Sequence, residues 1–118
     1  MIDTLELGRA LMGHDAMGLR IMVAEIMLDP LRLAQAPEPD TSVGNERAAA
    51  AAIVELLCER AGIMPPDWVD RAPVLNEPHF VLSHAQRMPR LRALCLEESP
   101  PALRRRGFLA PPDFLTTA

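Results

Sequence analysis

The feature that most constrains the fold is a run of five consecutive alanines, residues 48–52, in a chain with very few aromatic side chains. Alanine has the highest helix propensity of all residues. The 118 residues include 17 Leu, 17 Ala and 7 Met, but only one Trp, three Phe and no Tyr. β-Sheet cores depend on β-branched and aromatic residues, which are scarce here. The composition therefore predicts an all-α fold, a small single-domain helical bundle.

Helix caps, glycines and prolines divide the chain into five segments. The predicted segments are N-terminal helices (1–34), a loop (35–45), a central helix (46–61), a proline-rich strap (62–88), and short C-terminal helices with a tail (89–118). We expect the strap to lie across the helices, pinned by its larger apolar side chains: Trp68, Leu75, Phe80 and Leu82. Ser99 is the predicted N-cap of the last helix, which should span residues 101–106.

The second N-terminal helix is predicted over residues 16–28, with Asp15 as its N-cap. Its apolar residues form two sets. One set has helical spacing and predicts a core-facing stripe: Leu19, Met22, Val23 and Ile26. The other set widens that stripe: Met17, Ile21, Met27 and Leu28. We therefore expect this helix to be buried on more than one side.

Charge is distributed unevenly between the two parts of the chain. Residues 1–80 contain six Arg and thirteen acidic residues, a net charge of −7, whereas residues 81–118 contain six Arg and three acidic residues, a net charge of +3. Such asymmetry is typical of two situations: a charged surface that meets a partner, or two parts of one fold that attract each other.

Compartment and chemistry follow from what the sequence contains. Cys58 and Cys95 are the only cysteines, and we expect both to be free, buried thiols of a cytoplasmic protein. The first residues are acidic, unlike a secretory signal, and no apolar run approaches the ~20 residues that span a bilayer, so no membrane partner is expected. His79 and His84 are five residues apart, which does not suit two ligands on one helix face. No cofactor, metal or catalytic site is predicted.

The consecutive arginines 104–106 are the most prominent functional candidate. Cations in the last turn of a helix complement its dipole, which is the structural interpretation. A surface patch for phosphate or an acidic partner, extended by Arg87, Arg90 and Arg92, is the functional one. Trp68 is interpreted either as a core anchor or as a binding residue. The candidate partner-binding residues are Trp68, Phe80, Arg90, Arg104, Arg105 and Arg106.

The second part of the chain, residues 62–115, resembles a segment of small bacterial proteins linked to toxin–antitoxin operons. The resemblance lies in three short motifs: Pro65-Pro66-x-Trp68, Leu75-x-Glu77-Pro78-x-Phe80, and Glu98-Ser99-Pro100-x-x-Leu103-Arg104-x-Arg106-Gly107-Phe108-Leu109. In that group the segment often follows a helix-turn-helix domain, and a nucleotidyltransferase-like toxin is the usual neighbour in the operon. This chain has His79 where the group often has Trp, and Gly107 where it often has Asn. Residues 1–61 are too few for a full helix-turn-helix domain ahead of the segment.

These observations favour a non-enzymatic protein-interaction module, an antitoxin-like protein that binds a protein partner such as a toxin encoded nearby. One alternative is a DNA-binding regulator that places Arg104–Arg106 on phosphates. Another is a small enzyme with a site around His79, His84 and Arg90. A homodimer through the alanine-rich helix is also compatible with the sequence, because small residues let helices approach closely.

Overall fold

A computed structural model describes residues 2–116 and is mostly helical, with 57% helix and 3% strand. Met1, Thr117 and Ala118, the outer ends of the first and last predicted segments, lie outside the described residues. The α-helices are α1 (Thr4–Met12), α2 (Ala16–Ile26), α3 (Gly44–Ala61), α4 (Trp68–Arg71), α5 (Pro89–Glu98) and α6 (Pro101–Arg104), with 3₁₀ helices at Pro30–Gln35 and Ala85–Arg87. Two short strands, β1 (His79–Phe80) and β2 (Phe108–Leu109), pair in parallel. The all-α prediction is therefore right in outline but omits this small sheet.

The central helix α3 is enclosed by the rest of the chain. Every residue from 48 to 58 is buried, including the whole alanine run. Alanine side chains let α1 approach so closely that a Cβ added at Gly8 would lie 2.6 Å from the carbonyl oxygen of Glu46. Gly62 ends the helix with a φ of +69°, the left-handed conformation that glycine adopts without strain. A homodimer through the alanine-rich helix is wrong, because these small side chains are already covered within one chain.

The two N-terminal helices begin at the predicted caps. The Asp3 carboxylate accepts a hydrogen bond from the backbone N–H of Glu6, and the Asp15 carboxylate accepts one from Gly18. Helix α2 then ends at Ile26, two residues earlier than predicted, just before the 3₁₀ helix that Pro30 begins.

Only one face of α2 is buried. Leu19, Val23 and Ile26 lie in the core, as their spacing predicts. The expectation of burial on further sides is wrong, since Met17 is 69% exposed and Ile21 is 62% exposed. The physical reason is position: α2 packs against α1 and the 3₁₀ helix Pro30–Gln35, and its other side faces solvent.

The strap is joined to the C-terminal part by backbone hydrogen bonds as well as by apolar contacts. Leu75 N–H donates to the carbonyl of Arg106 (3.0 Å), and Val81 N–H donates to the carbonyl of Leu109 (2.9 Å). These bonds flank the β1–β2 pair, so the strap and the tail form one layer over α3. Two-residue strands carry no periodicity, which is why the sequence does not predict them.

The C-terminal helices are organised around Ser99, but not as predicted. Ser99 is buried, and its hydroxyl oxygen accepts a hydrogen bond from the N–H of Ala110 (3.0 Å) while contacting the Cys95 carbonyl. The side chain thus closes the end of α5 and holds the tail instead of capping α6. Helix α6 ends at Arg104, earlier than predicted, and Gly107 adopts a φ of +94° before β2. None of the described helices is long and apolar enough to cross a membrane.

The close approach of α1 and α3 makes Gly8 sensitive to a single added methyl group. We expect Gly8→Ala to lower the free energy of unfolding by about 1–3 kcal/mol, because the methyl group meets backbone that cannot move aside easily. Gly44→Ala is the matched control, since its Cβ would have no neighbour closer than 4.0 Å. Urea unfolding should show that variant unchanged or slightly more stable. Equal effects of the two substitutions would contradict the close approach.

Candidate functional site

The three consecutive arginines 104–106 lie in different surroundings, and Arg106 is buried. Its Nη1 lies 3.1 Å from Oε2 of Glu55 on α3, and its Nη2 donates to the carbonyl oxygen of Val69 (2.8 Å). The two charged side chains are only 8% and 10% exposed. Arg106 therefore binds the strap and the central helix from inside the fold.

Arg105 is half-exposed but also engaged by α3. Its Nη2 lies 2.9 Å from Oε2 of Glu55 and 3.0 Å from Oε1 of Glu59. The Glu55 carboxylate is thus shared by two neighbouring guanidinium groups. Here the acidic first part of the sequence meets the basic second part within one chain, which is the structural interpretation of the charge asymmetry.

Arg104 is exposed and points to a different helix. Its Nη2 donates to the carbonyl oxygen of Leu96 (2.7 Å), one of the carbonyls in the last turn of α5 that has no partner within the helix. The expected interaction of a cation with a helix C-terminus is present, but the helix is α5 and not the one that carries Arg104.

The aromatic candidates belong to the interior. Trp68 is buried, and its indole N–H donates to the carbonyl of Ala36 (2.8 Å), which ties the strap to the loop after the N-terminal helices. Phe80 is half-buried and packs against a small second cluster made of Ala85, Cys95 and Leu109. This cluster supports α5, in which Cys95 is the only buried residue.

A group of three exposed positive charges lies at the start of α5. Arg87, Arg90 and Arg92 are all exposed, and none forms an ion pair with a carboxylate of residues 2–116. We call these three residues the basic segment. Arg90 and Arg92 occupy the N-terminal turn of α5 and Arg87 precedes it, where the helix dipole is also positive.

Acidic residues occupy the opposite end of α5, since Glu97 and Glu98 are its last residues. The positive N-terminal end of the helix dipole thus carries arginines and its negative C-terminal end carries glutamates, and both placements are unfavourable. From the sequence, Arg90 is a candidate binding residue, and Arg87 and Arg92 are candidates as extensions of the cluster at 104–106. The reversed order of charges along residues 89–98 was the signal that could have identified the basic segment.

Two histidines form a stacked pair that the sequence did not predict. The rings of His14 and His79 lie 4.8 Å apart, and His79 also meets the ring of Phe108 edge-on at 5.9 Å. His14 has a φ of +60°, and its Nδ1 lies 2.9 Å from the carbonyl oxygen of Val81, which it contacts as a donor.

The surroundings of His79 disfavour its protonated form. Its Nε2 is buried and has no hydrogen-bond partner in the described part of the chain. Burial, and then the charge of His14, lowers the pKa of His79 from its ordinary value of 6.5. The two other members of the alternative enzyme site, His84 and Arg90, are exposed. The structure pairs His79 with an imidazole and not with a carboxylate that would make it a general base.

Both thiols are free and buried, as predicted. Desolvation, and then the nearby Glu55 carboxylate, raises the pKa of Cys58 to about 11, and burial also raises the pKa of Cys95. Reactive thiols have a lowered pKa, so these two are suited to packing and not to nucleophilic chemistry.

Among residues 2–116, no group of three His, Cys, Asp or Glu side chains is arranged to hold a metal ion. Comparisons of the chain with protein-family models, with curated proteins and with solved structures find no match. The site must therefore be interpreted from its own geometry.

Loss of the Arg106 guanidinium should be costly, because it leaves the Glu55 carboxylate buried with only Arg105 beside it. We expect Arg106→Met to lower the free energy of unfolding by about 1.5–3 kcal/mol, the cost of losing hydrogen bonds to a buried charge that Arg105 still partly compensates. The exposed neighbour provides the control: Arg104→Met should cost under about 1 kcal/mol. Chemical denaturation at pH 7 gives the free energy of unfolding of the wild type and of both variants. A loss from Arg106→Met no larger than that from Arg104→Met would contradict the buried ion pair.

The stacked histidines should make the fold sensitive to mild acid. His79 takes up a proton less readily when folded than when unfolded. The contribution of unprotonated His79 to the free energy of unfolding is therefore complete above pH 6.5 and is lost progressively as the pH falls below that value. We expect His79→Phe to lose less stability than the wild type between pH 7 and pH 5.5, and the exposed His84→Gln to behave like the wild type. Melting temperatures of the three proteins between pH 7 and pH 5.5 test this prediction. The same pH dependence in His79→Phe as in the wild type would contradict it.

Proposed function

We propose that this chain is a non-enzymatic, cytoplasmic protein-interaction module, an antitoxin-like protein whose basic segment docks on an acidic surface of a partner protein. The observation that carries the proposal is the set of three exposed guanidinium groups, Arg87, Arg90 and Arg92, without ion-pair partners in residues 2–116. Arginine is the residue best suited to an acidic protein surface, because its planar fork binds carboxylates with two hydrogen bonds.

Electrostatics within α5 supports this use of the segment. A charge of the wrong sign near a helix end costs about 0.3–1 kcal/mol, and Arg90 and Arg92 both lie at the positive end of α5. A partner that supplies carboxylates there removes this penalty. The penalty in the free protein thus becomes part of the driving force for binding.

Exposed apolar side chains on and just before α5 extend this candidate interface. Met88, just before α5, is 49% exposed, and Leu96 is exposed on the helix itself. Protein interfaces typically combine arginine and methionine with an apolar centre and a charged rim. Of the candidate residues, Arg90 and Arg104 can contact a partner directly, whereas Trp68, Phe80 and Arg106 hold the supporting layer in place.

A protein partner is favoured over nucleic acid by the charge of the whole chain. The net charge is −4, so a long nucleic acid that extends past the basic segment meets repulsion, whereas an acidic patch no larger than the segment does not. Proteins that bind single strands also present exposed aromatic rings for stacking, whereas Trp68 is buried and Phe80 is half-buried under α5.

The experiment is capture of the partner with the full chain as bait. We expect the product of an adjacent gene to co-purify from the host, and Arg90→Glu to weaken its binding at least tenfold, because a like charge then faces the acidic surface. Arg71→Glu is the control, since Arg71 is also exposed and unpaired among residues 2–116. The affinities, measured by calorimetry with the purified partner, should also fall with added salt.

Two results would overturn the proposal. One is a failed capture experiment, in which the bait binds no protein or binds its partner equally well after Arg90→Glu. The other is a salt-dependent complex with duplex DNA in gel shifts that disappears when the three arginines of the basic segment become Glu. That second result would instead support the DNA-binding alternative.

A further inference from the structure

Helix α2 has a second apolar face that points away from the core. Residues 17, 21, 24 and 28 follow one another at spacings of four, three and four, and all four are exposed: Met17, Ile21, Ala24 and Leu28. Leu28, two residues beyond the helix end, is 86% exposed. The core residues Leu19, Val23 and Ile26 occupy the opposite side of the same helix. We call the exposed set the α2 stripe.

We propose that the α2 stripe is the contact of a parallel homodimer, in which α2 of one copy lies along α2 of a second copy. The spacing is that of the a and d positions of a coiled coil, with Ile21 and Leu28 at a, and Met17 and Ala24 at d. Leu19 and Ile26 then occupy f positions, which point away from the partner helix and into their own core. Each copy can therefore pair without disturbing its own packing.

The charged residues that flank the stripe fit a second copy of this chain. Arg20 occupies the g position, and Glu25, five residues later, occupies the next e position. In a parallel pair each g residue meets the e′ residue five positions further along the partner helix. Arg20 of one copy therefore meets Glu25 of the other, and symmetry repeats the contact. Both side chains are exposed, and neither forms an ion pair within residues 2–116.

The same charges disfavour the antiparallel arrangement. A two-fold axis between antiparallel helices brings equal flanks together, so Arg20 shares a flank with Arg20 and Glu25 with Glu25, and neither meets a charge of opposite sign. Like charges at such positions destabilise a pair of helices. The stripe is short, which predicts a smaller interface than the standard size and a weak association. The dimer does not depend on the proposed function, because it uses a different helix.

Sedimentation equilibrium of the full chain, from about 5 to 500 μM, tests the association. We expect the mass to rise with concentration from 13.0 kDa towards twice that value. Ile21→Asp should weaken the dimer at least tenfold and leave the helical circular dichroism unchanged, because the side chain is exposed. Met64→Asp is the control, since Met64 is 84% exposed but lies outside the stripe. A chain that stays monomeric, or one that dimerises equally well with Ile21→Asp, overturns the proposal.

Orientation is tested by cross-linking and by charge reversal. In the parallel pair the two copies of residue 17 are neighbours, whereas centring the stripe in an antiparallel pair separates them by about 16 Å along the axis, beyond disulfide reach. Met17→Cys treated with diamide should therefore give a covalent dimer on a non-reducing gel, and the wild type, with buried thiols, should not. Arg20→Glu should weaken the wild-type dimer, and mixing it with Glu25→Arg should restore association. No covalent dimer from Met17→Cys, or no effect of Arg20→Glu, contradicts the parallel arrangement.

Discussion

The structure depends on one buried carboxylate in the middle of its central helix. Glu55 lies on α3 among residues that are all buried, and it is shared by the guanidinium groups of Arg105 and Arg106. A charge in such a place is stable only when it is paired and hydrogen-bonded. Because Arg106 also binds the carbonyl of Val69, the same site fixes three parts of the chain: the central helix, the strap and the C-terminal turn.

This internal use of two arginines determines which positive charges remain exposed. The consecutive arginines 104–106 were the most prominent candidates for a charged surface, but one is buried and one is held by two carboxylates. Three exposed arginines that form no ion pair within residues 2–116 remain in the basic segment at the start of α5, a helix held by a small second cluster. The fold thus separates a buried centre around α3 from two outer helices, α2 and α5, that each present a face to solvent.

Local signals in the sequence predicted the local structure well. The caps Asp3 and Asp15 and the left-handed Gly62 fixed the ends of helices, because each acts on backbone within a few residues. The alanine run predicted the central helix for the same reason. The resemblance to proteins of toxin–antitoxin operons stays a prediction.

What the sequence could not give was contact between distant residues. The pairing of Glu55 with Arg106 spans 51 positions, and that of Ser99 with Ala110 spans 11. Nothing in either local pattern distinguishes these partners from neighbouring candidates. The sequence also did not predict which side of α2 faces solvent, because periodicity identifies apolar faces but not which of them the rest of the chain covers.

A double-mutant cycle between Glu55 and Arg106 tests the central claim most directly, with Glu55→Leu, Arg106→Met and the double variant compared with the wild type by chemical denaturation. If the two side chains depend on each other, the double variant should be more stable than the sum of the single losses implies, with a coupling energy of at least about 1.5 kcal/mol. Losses that add to within about 0.5 kcal/mol would show that the two residues act independently and would contradict the account.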